Sequence, residues 1–340
     1  MAVELDSFFV DSVRIALGYR PVMLPPHTVY TDAQLRSVRE SLMNGSFDPA
    51  NFSSLCVAQP GVPYVKAIMR DNGQDGLMLK FKLIDLRNSV DYQRLAARVR
   101  GYDEHTQKEW SGFLEYCDQL SSNRDSQGAY TMGLTAVNNT YIAPKTYLIS
   151  EEAYESDLVK WNQSFLALTG ELGGKVMRST FSESYIQLCE NRKQYLNTPC
   201  FGHHDSTQSF FNTIQLNYST DVEQIGGTAD DVHNDSGDCE AFHSFSVNCS
   251  VVHESSNLGW FWFPNLDLVV PVKPGYGMLF QGLEEHTGTP FYLDSDDTSP
   301  IPFDYVKEAR FNIIAYPKHV MMQGRMAKNS NGNILAGNSE

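Results

Sequence analysis

The amino-acid sequence predicts an α+β fold, with helices in the N-terminal half and a β-sandwich, barrel or jelly roll in the C-terminal half. After about residue 205, short alternating β-rich segments are separated by Gly, Pro, Asn and Asp turns. Before that point, apolar residues recur with helical spacing. Because 41% of the residues are hydrophobic and 12% are aromatic, the chain has enough apolar surface for a substantial core.

The N-terminal half carries three clear helix signals. Thr31 and Gln34 have the spacing of a capping box, which predicts a helix that starts after Thr31. Residues 104–121 and 151–169 each place large apolar side chains on one helical face, and the second pattern ends at Gly170. Such aromatic stripes indicate packing against a core rather than a cofactor site.

The C-terminal half contains six predicted strands, and an alternating segment at 78–86 predicts one more in the N-terminal half. Pro264 and Asn265 have turn character and predict the tip of a hairpin. The six strands are predicted at residues 209–218, 242–253, 259–263, 266–272, 276–281 and 309–316.

Charge and cysteine usage narrow the functional classes. The net charge of −15 and a pI near 5.0 argue against a broad nucleic-acid footprint, since phosphate binding requires clustered Lys and Arg. The six cysteines are scattered without Cys-x-x-Cys spacing, which is typical of reduced thiols. The N-terminal residues do not resemble a secretion signal, and no apolar run approaches the ~20 residues that span a membrane. We therefore expect a cytoplasmic protein.

The stretch VHNDSGD (232–238) combines an imidazole with two carboxylates. His233 and Asp235 are two positions apart, and Asp238 follows. A His-x-Asp pair has little weight by itself, because His203 and Asp205 form a second one. The first pair differs in its context, since it lies between two predicted strands.

Two further residues complete an ordered set. His286 follows the strand YGMLFQ, and Arg310 opens the last predicted strand. Two His and one carboxylate on one face of Fe(II) form the facial triad of oxygenases, which leaves open positions for a chelating cosubstrate and O2. A guanidinium beyond the triad would bind the far carboxylate of such a cosubstrate through two parallel hydrogen bonds.

Over roughly residues 205–320, this order resembles the Fe(II)/2-oxoglutarate-dependent oxygenases, whose core is a double-stranded β-helix (jelly roll). The resemblance implies that His233, Asp235 and His286 are the catalytic iron ligands and that Arg310 binds the distal carboxylate of 2-oxoglutarate. It also implies Fe(II), 2-oxoglutarate and O2 as cofactor and cosubstrates, with ascorbate as a candidate reductant. Substrate oxidation would accompany conversion of 2-oxoglutarate to succinate.

Smaller motifs resemble particular groups within this superfamily. The run RFN (310–312) is similar to the Arg-x-Asn of AlkB-like members, and Asn217 and Tyr218 resemble their cosubstrate-contacting residues. This implies cosubstrate contacts for Asn312, Asn217 and Tyr218. The segments HNDSGD, GWFWFP and HTGTP occur in the order of similar segments in TET/JBP-like members. In that group a carboxylate at the position of Asp238 can touch cosubstrate or substrate, although a solvated turn acid is the simpler interpretation of Asp238.

The remaining histidines have weaker signals. His243 shares strand parity with residues of the predicted barrel and is a candidate substrate contact, although a structural sheet histidine is the simpler interpretation. His203 and His204 precede the first barrel strand and are predicted to be structural or to lie at the pocket entrance.

The domain prediction follows from the same order. Residues 1–204 are predicted to be a mixed, mainly helical region that packs on the barrel, and residues 205–320 the jelly-roll catalytic core of one compact unit. Residues 321–340 are polar and predicted to be disordered. Residues 291–308 insert between His286 and Arg310 and are a candidate lid or substrate wall.

Two substrate classes stay open. The acidic charge and the lack of a basic stripe favour hydroxylation, desaturation or cyclisation of a small metabolite, such as an amino-acid derivative, in specialised metabolism. The TET/JBP similarity favours oxidation of a methylated nucleobase in DNA or RNA, but that reaction needs a phosphate-binding surface. A jelly-roll binding module without activity is least favoured, because it has no need of Arg310 in register. We expect a small-molecule substrate, with nucleic acid less favoured, no membrane association and no obligate protein partner.

Overall fold

A computed structural model gives the architecture of the chain. The elements and contacts of the structure belong to the residues that it describes. These are residues 22–24, 31–44, 46–48, 51, 55–69, 75–99, 129–137, 141–144, 157–181, 186, 211, 213–219, 223–224, 232–238, 242–253, 255–289, 291–292 and 310–316. The predicted helix at 104–121, the predicted tail at 321–340 and nearly all of the 291–308 insertion lie outside these residues.

Fifteen strands, numbered in chain order, belong to the described residues. The N-terminal region contributes β1 (Val22–Met23), β2 (Cys56–Val57), β3 (Pro63–Met69), β4 (Asp75–Asp85), β5 (Ala129–Val137) and β6 (Tyr141–Pro144). The C-terminal region contributes β7 (Thr213–Ser219), β8 (Glu223–Gln224), β9 (Ser244–Asn248), β10 (Trp260–Phe263), β11 (Leu268–Pro271), β12 (Tyr276–Phe280), β13 (Thr287–Gly288), β14 (Phe291–Tyr292) and β15 (Arg310–Tyr316).

These strands form one large sheet, one smaller sheet and one strand pair. The nine-stranded sheet has the order β1-β3-β4-β12-β9-β15-β7-β5-β6, and the four-stranded sheet has the order β13-β10-β11-β2. The strands β14 and β8 pair separately. Within the described strands, neighbours are antiparallel except for β1 with β3 and β11 with β2.

The C-terminal strands have the topology of a jelly roll. The chain passes from β7 in the large sheet to a bridge between His233 and His286 beside the small sheet, and then to β9 in the large sheet. It continues through β10 and β11 in the small sheet, β12 in the large sheet, β13 in the small sheet and β15 in the large sheet. This alternation confirms the predicted α+β fold with a jelly-roll core.

The N-terminal region supplies more than helices. The strands β3 and β4 extend the large sheet beside β12, and β5 and β6 extend it beyond β7. The strand predicted at 78–86 is confirmed as the C-terminal part of β4. The predicted division at residue 205 stays a prediction, although the sheet itself crosses it.

Three α-helices, α1 (Asp32–Met43), α2 (Val90–Val99) and α3 (Asp157–Thr180), belong to the described residues. The capping box of α1 is confirmed, because Thr31 Oγ1 accepts the Gln34 N–H and Gln34 Oε1 accepts the Thr31 N–H. The prediction that the third helical segment ends at Gly170 is wrong, because α3 continues to Thr180. Tertiary packing overrides the weak helix propensity of its glycines. No helix of the described residues is both long and apolar enough to cross a bilayer.

Two apolar clusters lie on opposite faces of the large sheet. On one face, residues of α2 and α3 pack against side chains such as Phe245, Val247 and Ile313. On the other face, Phe81 of β4 contacts Phe263 of β10, with ring centroids 5.3 Å apart. The second cluster therefore joins the two sheets.

Candidate metal centre and cavity

A two-residue backbone bridge brings His233 and His286 together. The His233 N–H donates to the His286 carbonyl at 3.1 Å, and the His286 N–H donates to the His233 carbonyl at 2.8 Å. Residues bridged in this way are directly opposite each other, so their imidazole centroids lie only 4.7 Å apart. Two histidines far apart in the sequence thus become neighbours.

Asp235 reaches the same point through a short turn. Its N–H donates to the Gly282 carbonyl at 2.8 Å, and its carbonyl accepts the Asp238 N–H at 2.7 Å. These bonds place Asp235 Oδ2 3.7 Å from His286 Nε2. One ligand atom from each of His233, Asp235 and His286 lies within 4.8 Å of the others. The predicted ligand set is therefore assembled in the folded chain.

The tautomer of His286 suits metal binding. Its Nδ1 lies 2.7 Å from the carbonyl oxygen of Glu284, and because a carbonyl only accepts, Nδ1 carries the proton. The Nε2 lone pair is then available on the side of Asp235. Burial lowers the pKa of His286, and the Asp235 carboxylate opposes this shift. The ring is neutral at pH 7, as a metal-ligating imidazole must be.

Aromatic rings enclose the buried His286. The Phe261 ring stacks on the imidazole at a centroid distance of 5.3 Å, and the rings of Phe263 and Phe280 lie at 5.9 Å and 5.6 Å. An apolar wall of this kind holds the ring orientation and limits solvent access. The donor chemistry, two imidazole nitrogens and one carboxylate, fits a divalent transition metal such as Fe(II).

The three ligands lie at a cavity of about 120 Å³ between the two sheets. The neighbouring strands β7 and β15 form part of its wall, with Asn217 paired to Asn312 and Gln215 to Ile314. The predicted cosubstrate contacts Asn217 and Asn312 therefore line the cavity. The lining consists of Gln215, Asn217, His233, Asp235, Asp238, Phe261, Met278, Phe280, His286, Gly288, Thr289, Arg310, Asn312, Ile314 and Tyr316.

Arg310 brings a positive charge into this cavity. Burial lowers the pKa of Arg310 to about 10, so the guanidinium remains charged at pH 7. Its Nε is buried and has no hydrogen-bond partner among the described residues. The guanidinium carbon lies 4.8 Å from the Phe291 ring centroid, in the geometry of a cation–π contact. Buried polar groups are normally hydrogen-bonded, so the orphaned Nε fits a site for an acidic ligand.

Asp238 lies at the cavity wall behind the metal ligands. The Ser244 hydroxyl donates to Asp238 Oδ2 at 2.9 Å, and Asp238 is 4% exposed. Gly282 is required opposite this side chain, because a Cβ there would collide with the Asp238 carboxylate. The structure brings Asp238 to the cavity, while its contact with substrate or cosubstrate stays a prediction.

His243 is placed elsewhere. Its Nε2 lies 2.9 Å from the Leu79 carbonyl, and its ring packs on Phe181 at 4.9 Å. Burial lowers the pKa of His243 to about 4. Among the described residues it is not part of the cavity lining, so the structure does not support the suggested substrate contact. The simpler interpretation of a structural sheet histidine fits these contacts.

The side chains of three other candidates lie outside what the structure describes. Tyr218 pairs with Phe311 in the β7–β15 ladder, but its side chain is not described. His203 and His204 lie outside the described residues. Their predicted roles are untested.

Sequence reasoning missed several residues of the cavity. Gln215 donates through Nε2 to Asn217 Oδ1 at 2.9 Å, and both line the cavity. The two-residue period of β7 was the available signal, since Gln215 and Asn217 share one face. Thr289 and Tyr316 had no comparable signal, because their placement depends on how the sheets meet.

Comparisons with known proteins give similarity only to solved structures. No family model and no curated protein matches the chain. NgTET1 in complex with 5mC DNA aligns with a TM-score of 0.47 and 10% identity over 88% of this chain and 95% of that chain. A 2OG-Fe(II) oxygenase family oxidoreductase from Burkholderia pseudomallei aligns with a TM-score of 0.29 and 12% identity over 67% and 91%. A proposed oxygenase from Shewanella oneidensis aligns with a TM-score of 0.31 and 11% identity over 88% and 91%.

This distant likeness includes one structure described as a member of the 2OG-Fe(II) oxygenase family. At identities of 10–12% and TM-scores below 0.5, it carries no argument about what this chain does. Any functional conclusion therefore rests on the ligand set, the cavity and Arg310.

Proposed function

We propose that this protein is an Fe(II)- and 2-oxoglutarate-dependent oxygenase that oxidises a small metabolite. One observation carries the proposal: His233, Asp235 and His286 converge within 4.8 Å on a cavity that also contains the buried cation of Arg310. A metal site alone would fit many functions. A metal site that shares a cavity with a guanidinium whose buried Nε has no partner among the described residues fits a chelating cosubstrate that also carries an acidic group.

Different residues of the chain would bind the metal and the cosubstrate. The two imidazoles and Asp235 would hold Fe(II), and Arg310 would bind the distal carboxylate of 2-oxoglutarate. Asn217 and Asn312 offer amide groups on the same wall. The rings of Phe261 and Phe280 exclude water beside His286. Fe(II), when bound there, would supply the activation of O2 that couples conversion of 2-oxoglutarate to succinate with oxidation of the substrate.

The acidic charge supports a small-molecule substrate. A net charge of −15 without a run of basic residues disfavours tracking of a phosphate backbone. The observation that favours a nucleobase is the order of the segments HNDSGD, GWFWFP and HTGTP. We keep nucleobase oxidation as the alternative to be tested in the same experiment.

The test measures succinate formed from 2-oxoglutarate in the presence of Fe(II) and O2. One reaction contains a protein-free extract of small metabolites, and the other contains methylated duplex DNA. We expect stimulation by the extract, with the mass of the consumed compound identifying the substrate. Stimulation by DNA alone would keep the oxygenase and replace the substrate class.

The control is a pair of aspartate substitutions. Asp235→Ala removes one proposed ligand and should abolish succinate formation, whereas Asp48→Ala changes an exposed residue outside the cavity and should not. Full activity of Asp235→Ala would overturn the proposal. So would the absence of both turnover and anaerobic binding of Fe(II) with 2-oxoglutarate to the wild-type protein.

A further inference from the structure

Lys80 of β4 contacts both ends of the turn that precedes His286. Its Nζ lies 2.7 Å from Glu284 Oε1 and 2.6 Å from Gln281 Oε1. The turn is also closed by a backbone hydrogen bond from the Glu284 N–H to the Gln281 carbonyl at 3.0 Å. One ammonium group from the N-terminal region thus holds the two ends of a turn in the C-terminal region.

This turn determines the orientation of His286. The Glu284 carbonyl accepts a hydrogen bond from His286 Nδ1–H at 2.7 Å, so that Nε2 is left on the side of Asp235. In the same turn, the Gly282 carbonyl accepts the Asp235 N–H. Groups that hydrogen-bond to a metal ligand set its tautomer and ring direction. A displacement of this turn would therefore move two proposed ligands.

A β-bulge explains how Lys80 reaches the turn. Tyr64 pairs with Phe81 and Val65 pairs with Leu79, so Lys80 is the extra residue between them. Without the bulge, Leu79 and Phe81 would share one face. Instead Leu79 belongs to the cluster under the helices, and Phe81 belongs to the cluster between the sheets.

The same bulge separates two lysines that simple alternation would place together. Lys80 contacts the turn that joins β12 to β13, whereas Lys82 Nζ lies 3.1 Å from Thr180 Oγ1 at the end of α3. Lys82 therefore offers a matched control: the same residue type on the same strand, directed away from the proposed metal site.

The Lys80–Glu284 pair is shielded enough for its loss to matter. Both side chains are 15% exposed. Without Lys80, the Glu284 carboxylate would lose its ion pair and keep only the more distant attraction of Lys66, so its side chain would move towards water. For Glu284 such a movement would displace the residue whose carbonyl orients His286.

We propose that Lys80 is a positioning residue that acts through Glu284 and Gln281 to hold His286 in its metal-binding orientation. This inference rests on the proposed function, because it requires His233, Asp235 and His286 to bind a metal. It adds a residue of the N-terminal region to the support of a site whose ligands all belong to the C-terminal region.

The test is an anaerobic titration with Co(II), a spectroscopic substitute for Fe(II), which needs no turnover. We expect Lys80→Met to weaken Co(II) binding by about 10-fold or more and to change the shape of the visible absorption band. Lys82→Met should leave affinity and band unchanged. Lys80→Arg keeps the cation and should retain most of the affinity.

A double substitution separates positioning from a general loss of stability. Glu284→Gln keeps the backbone carbonyl and removes the carboxylate, so it should weaken Co(II) binding as Lys80→Met does. If the two residues act as one unit, the double variant should bind little worse than either single variant. Thermal unfolding of each variant checks that the fold persists, and Glu284→Gln supplies the answer if Lys80→Met does not fold.

The outcomes distinguish this inference from the proposed function. If the wild-type protein does not bind Co(II), the metal site fails and the inference fails with it. If the wild-type protein binds Co(II) and both Lys80→Met and Glu284→Gln bind equally well, the positioning role is wrong while the metal site stands. Equal weakening by Lys82→Met would also overturn it, because the effect would not depend on the turn.

Discussion

At the scale of single residues, burial has different consequences for Arg310, which stays charged, and for His243, which stays neutral. The guanidinium of Arg310 faces the cavity and has an Nε without a partner in the described part of the chain. The imidazole of His243 is hydrogen-bonded to the Leu79 carbonyl and is kept neutral by burial. Arg310 can therefore bind an acidic ligand in the cavity, whereas His243 stabilises the core.

Substitution of Arg310 should selectively weaken binding of the cosubstrate. We expect Arg310→Met to raise the dissociation constant for 2-oxoglutarate by at least about 30-fold, equivalent to about 2 kcal/mol, because the distal carboxylate would lose its charge partner. Anaerobic calorimetry on Co(II)-loaded protein measures this constant. Arg87→Met removes an arginine that pairs with Asp85 on the surface and should change nothing. Unaltered binding to Arg310→Met would exclude the proposed contact.

His243 should make the folded state sensitive to acid. Burial lowers the pKa of His243 to about 4, against an ordinary value of 6.5. Below about pH 6.5 the unfolded chain binds a proton that the folded chain does not. The free energy of unfolding therefore falls as the pH falls, until the folded state is also protonated near pH 4. The expected loss is about 1.4 kcal/mol per pH unit within this window.

Urea unfolding of metal-free protein at pH 7.5 and pH 5.5 tests this expectation. His243→Gln keeps a hydrogen-bond donor near the Leu79 carbonyl and has no titrating ring. The variant should lose about 1.4 kcal/mol less than the wild-type protein over the same pH interval. Equal losses would show that His243 does not contribute.

At the scale of elements, the close contact of α3 with the large sheet depends on Gly173, which has no side chain. A Cβ on Gly173 would lie 2.7 Å from Phe211 Cε2 and 3.0 Å from Phe245 Cδ1. These distances leave no room for a methyl group unless the rings move. The helix therefore continues through its glycines because close packing on the sheet outweighs their low helix propensity.

Gly173→Ala should accordingly destabilise the protein. We expect the free energy of unfolding to fall by about 1–3 kcal/mol from overpacking, although alanine is otherwise favoured over glycine in a helix by about 1 kcal/mol. Denaturant unfolding measures the change. In a Phe211→Leu background, where the ring is absent, the same substitution should cost less. A Gly173→Ala protein more stable than the wild type would contradict this packing argument.

At the scale of the whole molecule, metal binding should connect distant parts of the chain. His233 and Asp235 lie before β9, whereas His286 follows β12. A ligand that binds only the folded state stabilises it, by about 2.7 kcal/mol at 100 times its dissociation constant. For a protein of this size we expect Co(II) at that concentration to raise the Tm by about 4 °C.

Thermal unfolding with and without Co(II) measures this shift. Asp235→Ala should abolish it, and His253→Ala, which changes a histidine outside the cavity, should preserve it. An equal shift in Asp235→Ala would place the stabilising metal elsewhere in the protein. Loss of the shift in His253→Ala would lead to the same conclusion.

The sequence predicted most of the C-terminal strands and the ligand set, but little of how the N-terminal region takes part. The strands β7, β9, β10, β11, β12 and β15 have local alternation and flanking turns, which make them visible without a structure. The roles of Lys80 and Gly173 had no such signal. One depends on a single extra residue in β4, and the other depends on two aromatic rings distant in the sequence.

The sequence by itself determined the types and order of the chemical groups: His233, Asp235, His286 and Arg310 on or beside strands of an α+β chain. Only the tertiary structure decided that His233 bridges His286, that Lys80 reaches Glu284 and that His243 is buried in the core. The physical reason is that strand periodicity is a local property of the backbone. Register, bulges and burial are set by contacts between residues far apart in the chain.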